Sequence, residues 1–242
     1  MRPAQRIGWV QHVNGWTDFC GARIEVDPGV FVPRRRTEFL VQQAAALVRE
    51  GVRPNRRADL GGEPQAGGEA EPGAGAVVLD LCCGAGAVGA ALSADGPIEL
   101  HAADIDAAAV ACARRNIAPF GGRAYAGDLF TPLPLALRGR IDLIVTNAPY
   151  VTTDESVRLP LDVRLYEPRA AFDGGADGLE LHRRLVPEAA SWLAPGGSLL
   201  AELHPAQTSQ AARLLSSAGL SPRVSTSQTL DATVITGTKP SA

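Results

Sequence analysis

The sequence predicts an α/β fold: a mostly parallel sheet with helices on both faces. Two observations carry that expectation. From residue 76 onward short apolar runs alternate with stretches of helical spacing, and the first such run is joined to its helix by a glycine-rich turn. At 242 residues the chain has room for one large domain with a modest extension.

Taken in order, residues 7–32 are short runs (Ile24, Val26, then Val30, Phe31, Val32) broken by Asn14-Gly15 and Pro28-Gly29, which suggests a hairpin-like lead-in. From Thr37, the positions Phe39, Leu40, Ala44, Leu47 and Val48 have helical spacing, with Thr37 as N-cap and Gly51 as stop. Residues 51–75 are rich in Gly, Pro, Glu and Arg with almost no bulky apolar side chain, so burial cannot offset the entropy of ordering them, and a flexible loop is expected. Strands follow at 76–79, 98–103, 124–126 and 141–145, with helices at 87–93 and 107–117. A helix at 179–193 should stop at Pro195-Gly196-Gly197. It is followed by a strand at 198–201, a helix at 206–218 and two closing strands at 223–227 and 232–236.

Composition excludes several classes. The formal net charge of -3 supplies no broad basic surface for direct nucleic-acid binding. Its basic residues are 22 arginines and one lysine, Lys239, which reads as a genomic composition bias. Cysteines 20, 82, 83 and 112 and histidines 12, 101, 182 and 204 lack metal-ligand spacing, so no metal is expected. No run of about 18 apolar residues offers a membrane span and no apolar signal core follows Met1, so a cytoplasmic protein is expected. His101 sits in an apolar strand and reads as structural, whereas His204 stands where it could line a crevice. The Arg34-Arg35-Arg36 triplet could meet an acidic partner.

The turn Asp80-Leu81-Cys82-Cys83-Gly84-Ala85-Gly86-Ala87-Val88-Gly89 lies where the carboxyl ends of parallel strands form a ligand crevice, and Asp104 ends the next strand, where it can accept hydrogen bonds from a ribose diol. Gly84-x-Gly86-x-x-Gly89 also satisfies a dinucleotide fingerprint, and small residues packing strand on helix would look the same. Two features favour S-adenosylmethionine. A carboxylate at Asp80 would repel a pyrophosphate but can pair with a methionyl amino group, and Gly127-Asp128-Leu129 puts another acceptor near an adenine amine.

The fourth strand ends in Asn147-Ala148-Pro149-Tyr150, at the same sheet edge. The Asn147 side-chain oxygen and the Ala148 carbonyl can each accept one N–H of a substrate NH2, aligning a weakly nucleophilic amide nitrogen with a sulfonium methyl, and Tyr150 can stack on the planar group. A simple strand-ending turn with a core tyrosine is the alternative.

These segments resemble the HemK-type protein-(glutamine-N5) methyltransferases, whose best known members modify peptide chain release factors. The similarity runs from Gly15 to Gln207 and includes residues 26–34, Thr37-Glu38, Asp80 to Gly86, Asp104, Gly127-Asp128, the Asn147 turn, and the long block 166–175 with Asp177-Gly178. It implies a class I methyltransferase, Rossmann-like fold with a seven-stranded sheet and a short N-terminal hairpin and helix extension. It divides the chain into a lead-in at 1–32, a remnant of a substrate-binding region, and a methyltransferase domain at 33–242. By resemblance, S-adenosylmethionine would be held by Asp80, Cys82, Gly84, Gly86, Asp104, Ile105, Asp128, Leu129 and Asn147. The substrate, a protein glutamine in a release factor or other translation protein, would meet Asn147, Ala148, Pro149, Tyr150, Glu167 and Pro168, with Asn147, Pro149 and Tyr150 catalytic. The family usually has Asn-Pro-Pro-Tyr, so Ala148 leaves φ unfixed where proline would fix it. Arg35-Arg36 replace a proline and an acidic residue. Another planar amino group, on adenine or a small molecule, and a noncatalytic cofactor-binding protein remain the alternatives.

Overall fold

In the computed structural model, the described residues are 9–50 and 75–241. The expected flexible loop at 51–75 lies, save Gly75, outside them. A short helix α1 (Trp9–Asn14) leads into an antiparallel hairpin of β1 (Trp16–Phe19) and β2 (Ala22–Glu25). Helix α2 (Glu38–Arg49) precedes the main alternation: β3 (Ala76–Leu81), α3 (Ala87–Asp95), β4 (Ile98–Asp104), α4 (Ala107–Ile117), β5 (Arg123–Ala126) and β6 (Ile141–Thr146). Two short helices, α5 (Thr153–Ser156) and α6 (Leu161–Tyr166), come before α7 (Glu180–Trp192), β7 (Leu193–Leu203), α8 (Thr208–Ser217), β8 (Ser221–Ser227) and β9 (Ala232–Thr238).

The seven main strands lie in the order β5-β4-β3-β6-β7-β9-β8, parallel except for β9, which runs antiparallel to both neighbours. The expected mostly parallel seven-stranded sheet is the one observed. Every residue of β3 and β6 is buried, as a strand covered on both faces must be. Between β3 and β6 the order reverses, so both strand ends open onto one crevice.

The lead-in is part of the main core. Phe19, Ile24, Val26, Val30 and Val32 are almost fully buried in one cluster with Leu40 and Ala44 of α2 and Val78, Leu143 and Val145 of the sheet. At about 1.5–3 kcal/mol for each such side chain, that burial anchors the hairpin firmly. Polar contacts fix its position. Arg115 on α4 pairs with Glu25 and Asp27, and the Asn116 side-chain amide donates to the carbonyls of Glu25 (2.9 Å) and Ala85 (2.8 Å), coupling the hairpin to the glycine turn.

Two local expectations change. Thr37 does not cap α2: it has helical dihedrals (φ -67, ψ -15) inside a preceding 3-10 turn, and its hydroxyl makes no cap bond. The strand expected from residue 198 begins at Leu193, directly after α7. Lys239 closes that helix by donating to the carbonyls of Ala190 (2.8 Å) and Leu193 (2.7 Å), and residues 194–197 form an excursion on β7 tied to the chain beyond β9 (Gly196 N–H to Lys239 O, 3.1 Å). The helices α5 and α6 carried no periodic signal. Among the described residues no helix is long and apolar enough to cross a membrane.

Candidate active site

A cavity of about 680 Å³ opens at the switch point, bounded by the glycine turn, the ends of β4 and β6, the segment after β5, Phe31 and Pro33 ahead of α2, and the loop at 168–174. Of the expected cofactor residues, Asp80, Cys82, Gly84, Asp104, Ile105, Asp128, Leu129 and Asn147 line it. Gly86 lies behind the wall in the left-handed region (φ +75), where an added Cβ would come within 3.0 Å of the Ala113 Cβ, so its role is close packing of α3 on α4. Gly84 (φ +52) faces open space, its nearest neighbour being the Phe31 Cβ at 4.0 Å. Cys82 (φ +59) and Leu129 (φ +48) take the same backbone region with full side chains, a strained arrangement at the cavity wall.

The three strand-end carboxylates are held differently. Asp80 is buried and its Oδ2 accepts the Gly89 N–H at 2.9 Å; burial pushes its pKa up to about 7, with the Gly89 bond opposing and the nearby Asp104 charge adding. Asp104 accepts from the amides of Gly84 (2.8 Å) and Asp106 (3.0 Å), which sets the height of the glycine turn, and burial raises its pKa against those bonds. Asp128 is half exposed and paired with Arg184. Among the described residues, Arg184 is the single basic residue of the lining, against six acidic ones: Asp80, Asp104, Asp106, Asp128, Asp173 and Glu180. Such a wall opposes a diphosphate and suits a ligand carrying a diol, an amino group and a sulfonium, so the donor set fits S-adenosylmethionine and not a nicotinamide dinucleotide.

Asn147, Pro149 and Pro168 also line the cavity. The Asn147 Nδ2 donates to the Thr37 hydroxyl at 3.3 Å. Ala148 and Tyr150 are not part of the lining. The Ala148 side chain is fully buried in the apolar cluster beneath β6, and the Tyr150 hydroxyl points away into the protein to donate to Glu202 Oε1 at 2.8 Å. Through that bond the Tyr150 hydroxyl anchors the turn. Glu167 also stays off the cavity. It is buried and paired with Arg34, whose Nη2 reaches both carboxylate oxygens at 2.6 Å, while the Arg34 guanidinium stacks on Phe31. Arg34 thus meets an internal acid instead of an acidic partner.

Sequence reading missed Glu202, Gln207 and Thr37 as site residues. Glu202 is 1% exposed; burial raises its pKa, opposed by the Tyr150 and Thr37 hydroxyls and by the Arg36 and Arg34 charges. Gln207 Nε2 donates to the Tyr150 carbonyl (2.8 Å) and the Asp177 carbonyl (3.0 Å). His204 caps the turn before α8 and does not line the crevice, and His101 bonds Tyr125 and Glu99 in the sheet.

Comparison with known proteins agrees with this geometry. The Methyltransferase small domain family model matches residues 69–163. A protein of Cereibacter sphaeroides named release factor glutamine methyltransferase is 35% identical over 223 residues, 92% of this chain and 70% of the relative. The chain belongs to the release factor glutamine methyltransferase family. Another member, from Geobacter sulfurreducens, is 38% identical over 80% of the chain, which spans 60% of that relative's length. A Streptomyces pristinaespiralis protein named 4-amino-L-phenylalanine/4-methylamino-L-phenylalanine methyltransferase is 34% identical over 83% of the chain, which spans 60% of its length. Among solved structures, a methyltransferase from Pyrococcus furiosus superposes with a TM-score of 0.59 at 18% identity, covering 90% of this chain and 88% of its own. Fold and family are those of class I, S-adenosylmethionine-dependent methyltransferases.

Proposed function

We propose that the chain transfers the methyl group of S-adenosylmethionine to the side-chain amide nitrogen of a protein glutamine, with a peptide chain release factor in the cytoplasm as substrate. The observation that carries this reading is the orientation of Asn147: its nitrogen is engaged by Thr37, so its oxygen is the polar atom available to the cavity. That oxygen would accept one amide hydrogen of the substrate, and the Ala148 carbonyl, on a fully buried residue off the lining, would take the other only if the turn opens toward the acceptor. As the methyl–nitrogen bond forms, positive charge grows on the amide nitrogen, and two aligned acceptors stabilise it more in the transition state than in the ground state. S-Adenosylmethionine supplies an electrophilic methyl group and is released as a neutral thioether, so the nitrogen sheds one proton to water and no strong base is needed. Asp104 would take the ribose diol, Asp80 the methionyl amino group, Ile105 and Leu129 the faces of the adenine, and Asp128 its amine. Pro149 and Pro168 would border the acceptor, with Tyr150 and Glu167 supporting them from behind.

The relative that acts on 4-amino-L-phenylalanine favours one other reading, a small aromatic amine as acceptor. Incubating the protein with radiolabelled S-adenosylmethionine and either an intact bacterial release factor or 4-aminophenylalanine separates the two. Label on a glutamine, located by mass spectrometry, supports the proposal; label on the amine alone overturns it.

A further inference from the structure

Resting on the reading of Asp128 as acceptor for the adenine amine, we propose that Arg184 is a positioning residue for cofactor recognition: it aims the Asp128 carboxylate into the cavity, so that the site selects a purine by its exocyclic amine. The adjacent arginine has a different task. Arg183 pairs with Asp177 in the loop before α7, whereas Arg184 lines the cavity and pairs there with Asp128.

Asp128 follows β5, and its main chain is fixed on both sides. The Gly127 N–H donates to the Asp104 carbonyl at 2.9 Å, and the Asp128 carbonyl accepts from the Thr131 N–H (3.0 Å) and the Thr131 hydroxyl (2.7 Å). Its side chain, by contrast, is 44% exposed. A carboxylate so placed is better solvated when turned out to water than when turned toward a cavity that Asp80, Asp104, Asp106, Asp173 and Glu180 also line. Arg184 counters that preference. It projects from α7, a helix seated by the buried Leu185, Val186 and Ala189, and its Nη2 donates to Asp128 Oδ2 at 2.5 Å. A pair this exposed contributes little to stability, so its consequence is orientation.

A carboxylate offers about four lone-pair sites over its two oxygens, and Arg184 takes one of them on Oδ2. The remaining capacity can accept one N–H of the adenine amine in a charge-assisted bond, the stronger kind. A guanidinium only donates, so Arg184 cannot hold the amine itself and acts on the base through Asp128. Removing Arg184 has two competing effects. The cavity becomes more negative, which draws any cationic ligand, and Asp128 is released, which weakens only a ligand that carries the amine. Two ligands of equal charge that differ in that amine alone cancel the first effect and isolate the second.

The test is calorimetry on the full chain with S-adenosylhomocysteine and its purine-riboside analogue, which lacks only the exocyclic amine. Wild type should bind the first about tenfold or more tightly than the second, the span of one hydrogen bond to a charged group. In Arg184→Ala that ratio should fall to about threefold or less through weaker binding of S-adenosylhomocysteine, and Arg184→Lys, which keeps a cationic donor, should retain part of it. Because the pair is exposed, the melting temperature of Arg184→Ala should stay within about 2 °C of wild type, which separates loss of recognition from loss of fold. A wild-type ratio in Arg184→Ala, or equal weakening of both ligands, overturns the proposal, the second outcome marking a merely structural residue. Wild type that binds both ligands equally removes Asp128 from the base and this proposal with it while leaving methyl transfer standing; wild type that binds neither sinks the functional reading as well.

Discussion

Lowering the pH toward 4 should destabilise the protein through one residue, His182. It lies on α7 with 2% exposure, and neither ring nitrogen has a hydrogen-bond partner among the described residues. Its neighbours around a small void are Val186, Leu199, Ala201, Ala211, Leu214, Leu215 and Ile235. Burial, with the Arg183 charge a lesser cause, lowers its pKa from 6.5 to about 4. Because the folded value lies below the unfolded one, the unfolded chain takes the proton first. Stability is then full above about pH 6.5 and falls with pH until roughly 4, where the folded state is protonated too. The gap, at roughly 1.4 kcal/mol for each tenfold change in proton affinity, amounts to roughly 3 kcal/mol. At about 2–4 °C per kcal/mol for a chain of this size, this is a loss of roughly 6–12 °C in Tm. Urea melts of wild type and His182→Leu between pH 4 and 7.5 isolate the residue, since all other titrating groups are shared. The variant should lose a slope of about one proton in that window and gain about 1 kcal/mol at pH 7, where a polar ring with no partner becomes an apolar side chain. Parallel pH profiles for the two proteins would refute the reasoning.

Three further outcomes follow from the site. Asn147→Ala should lower kcat/KM for methyl transfer by about 10²–10³-fold while calorimetric cofactor affinity stays within about threefold; unchanged turnover would remove Asn147 from the chemistry. Arg34→Ala strands the buried Glu167 carboxylate, so scanning calorimetry should record a loss of roughly 3 kcal/mol, and a melting temperature within about 2 °C of wild type would show that the pair contributes little. With its pKa near 7, Asp80 gains its charge as pH rises, so if the ionised form pairs with the methionyl amino group, S-adenosylmethionine affinity should climb about tenfold from pH 6 to 8 and be flat in Asp80→Asn; a flat wild-type profile would exclude that pairing.

Much of the cavity wall facing the cofactor was legible from local order in the chain. A glycine turn after an apolar strand, carboxylates at successive strand ends and Asn147-Ala148-Pro149-Tyr150 at the fourth all sit where a parallel sheet must open, so periodicity and turn chemistry place them without knowledge of distant contacts. Errors arose where a local signal competed with a remote one. Thr37 has the residue type of a helix cap, but its hydroxyl is claimed by Asn147, 110 positions away; Tyr150 has the shape of a stacking platform, but its hydroxyl is claimed by Glu202.

By itself, then, the sequence determined the alternation of strands and helices, the crevice and many of the residues along it, because each depends on neighbours within a turn or a strand. Tertiary structure alone decided that Glu167 closes on Arg34, that Glu202 and Gln207 grip Tyr150, and that the Asn147 amide meets the Thr37 hydroxyl. Those pairings depend on which strand ends meet at the switch point and on the exclusion of water there, since a carboxylate or an amide chooses its partner by proximity in a buried space and not by spacing along the chain.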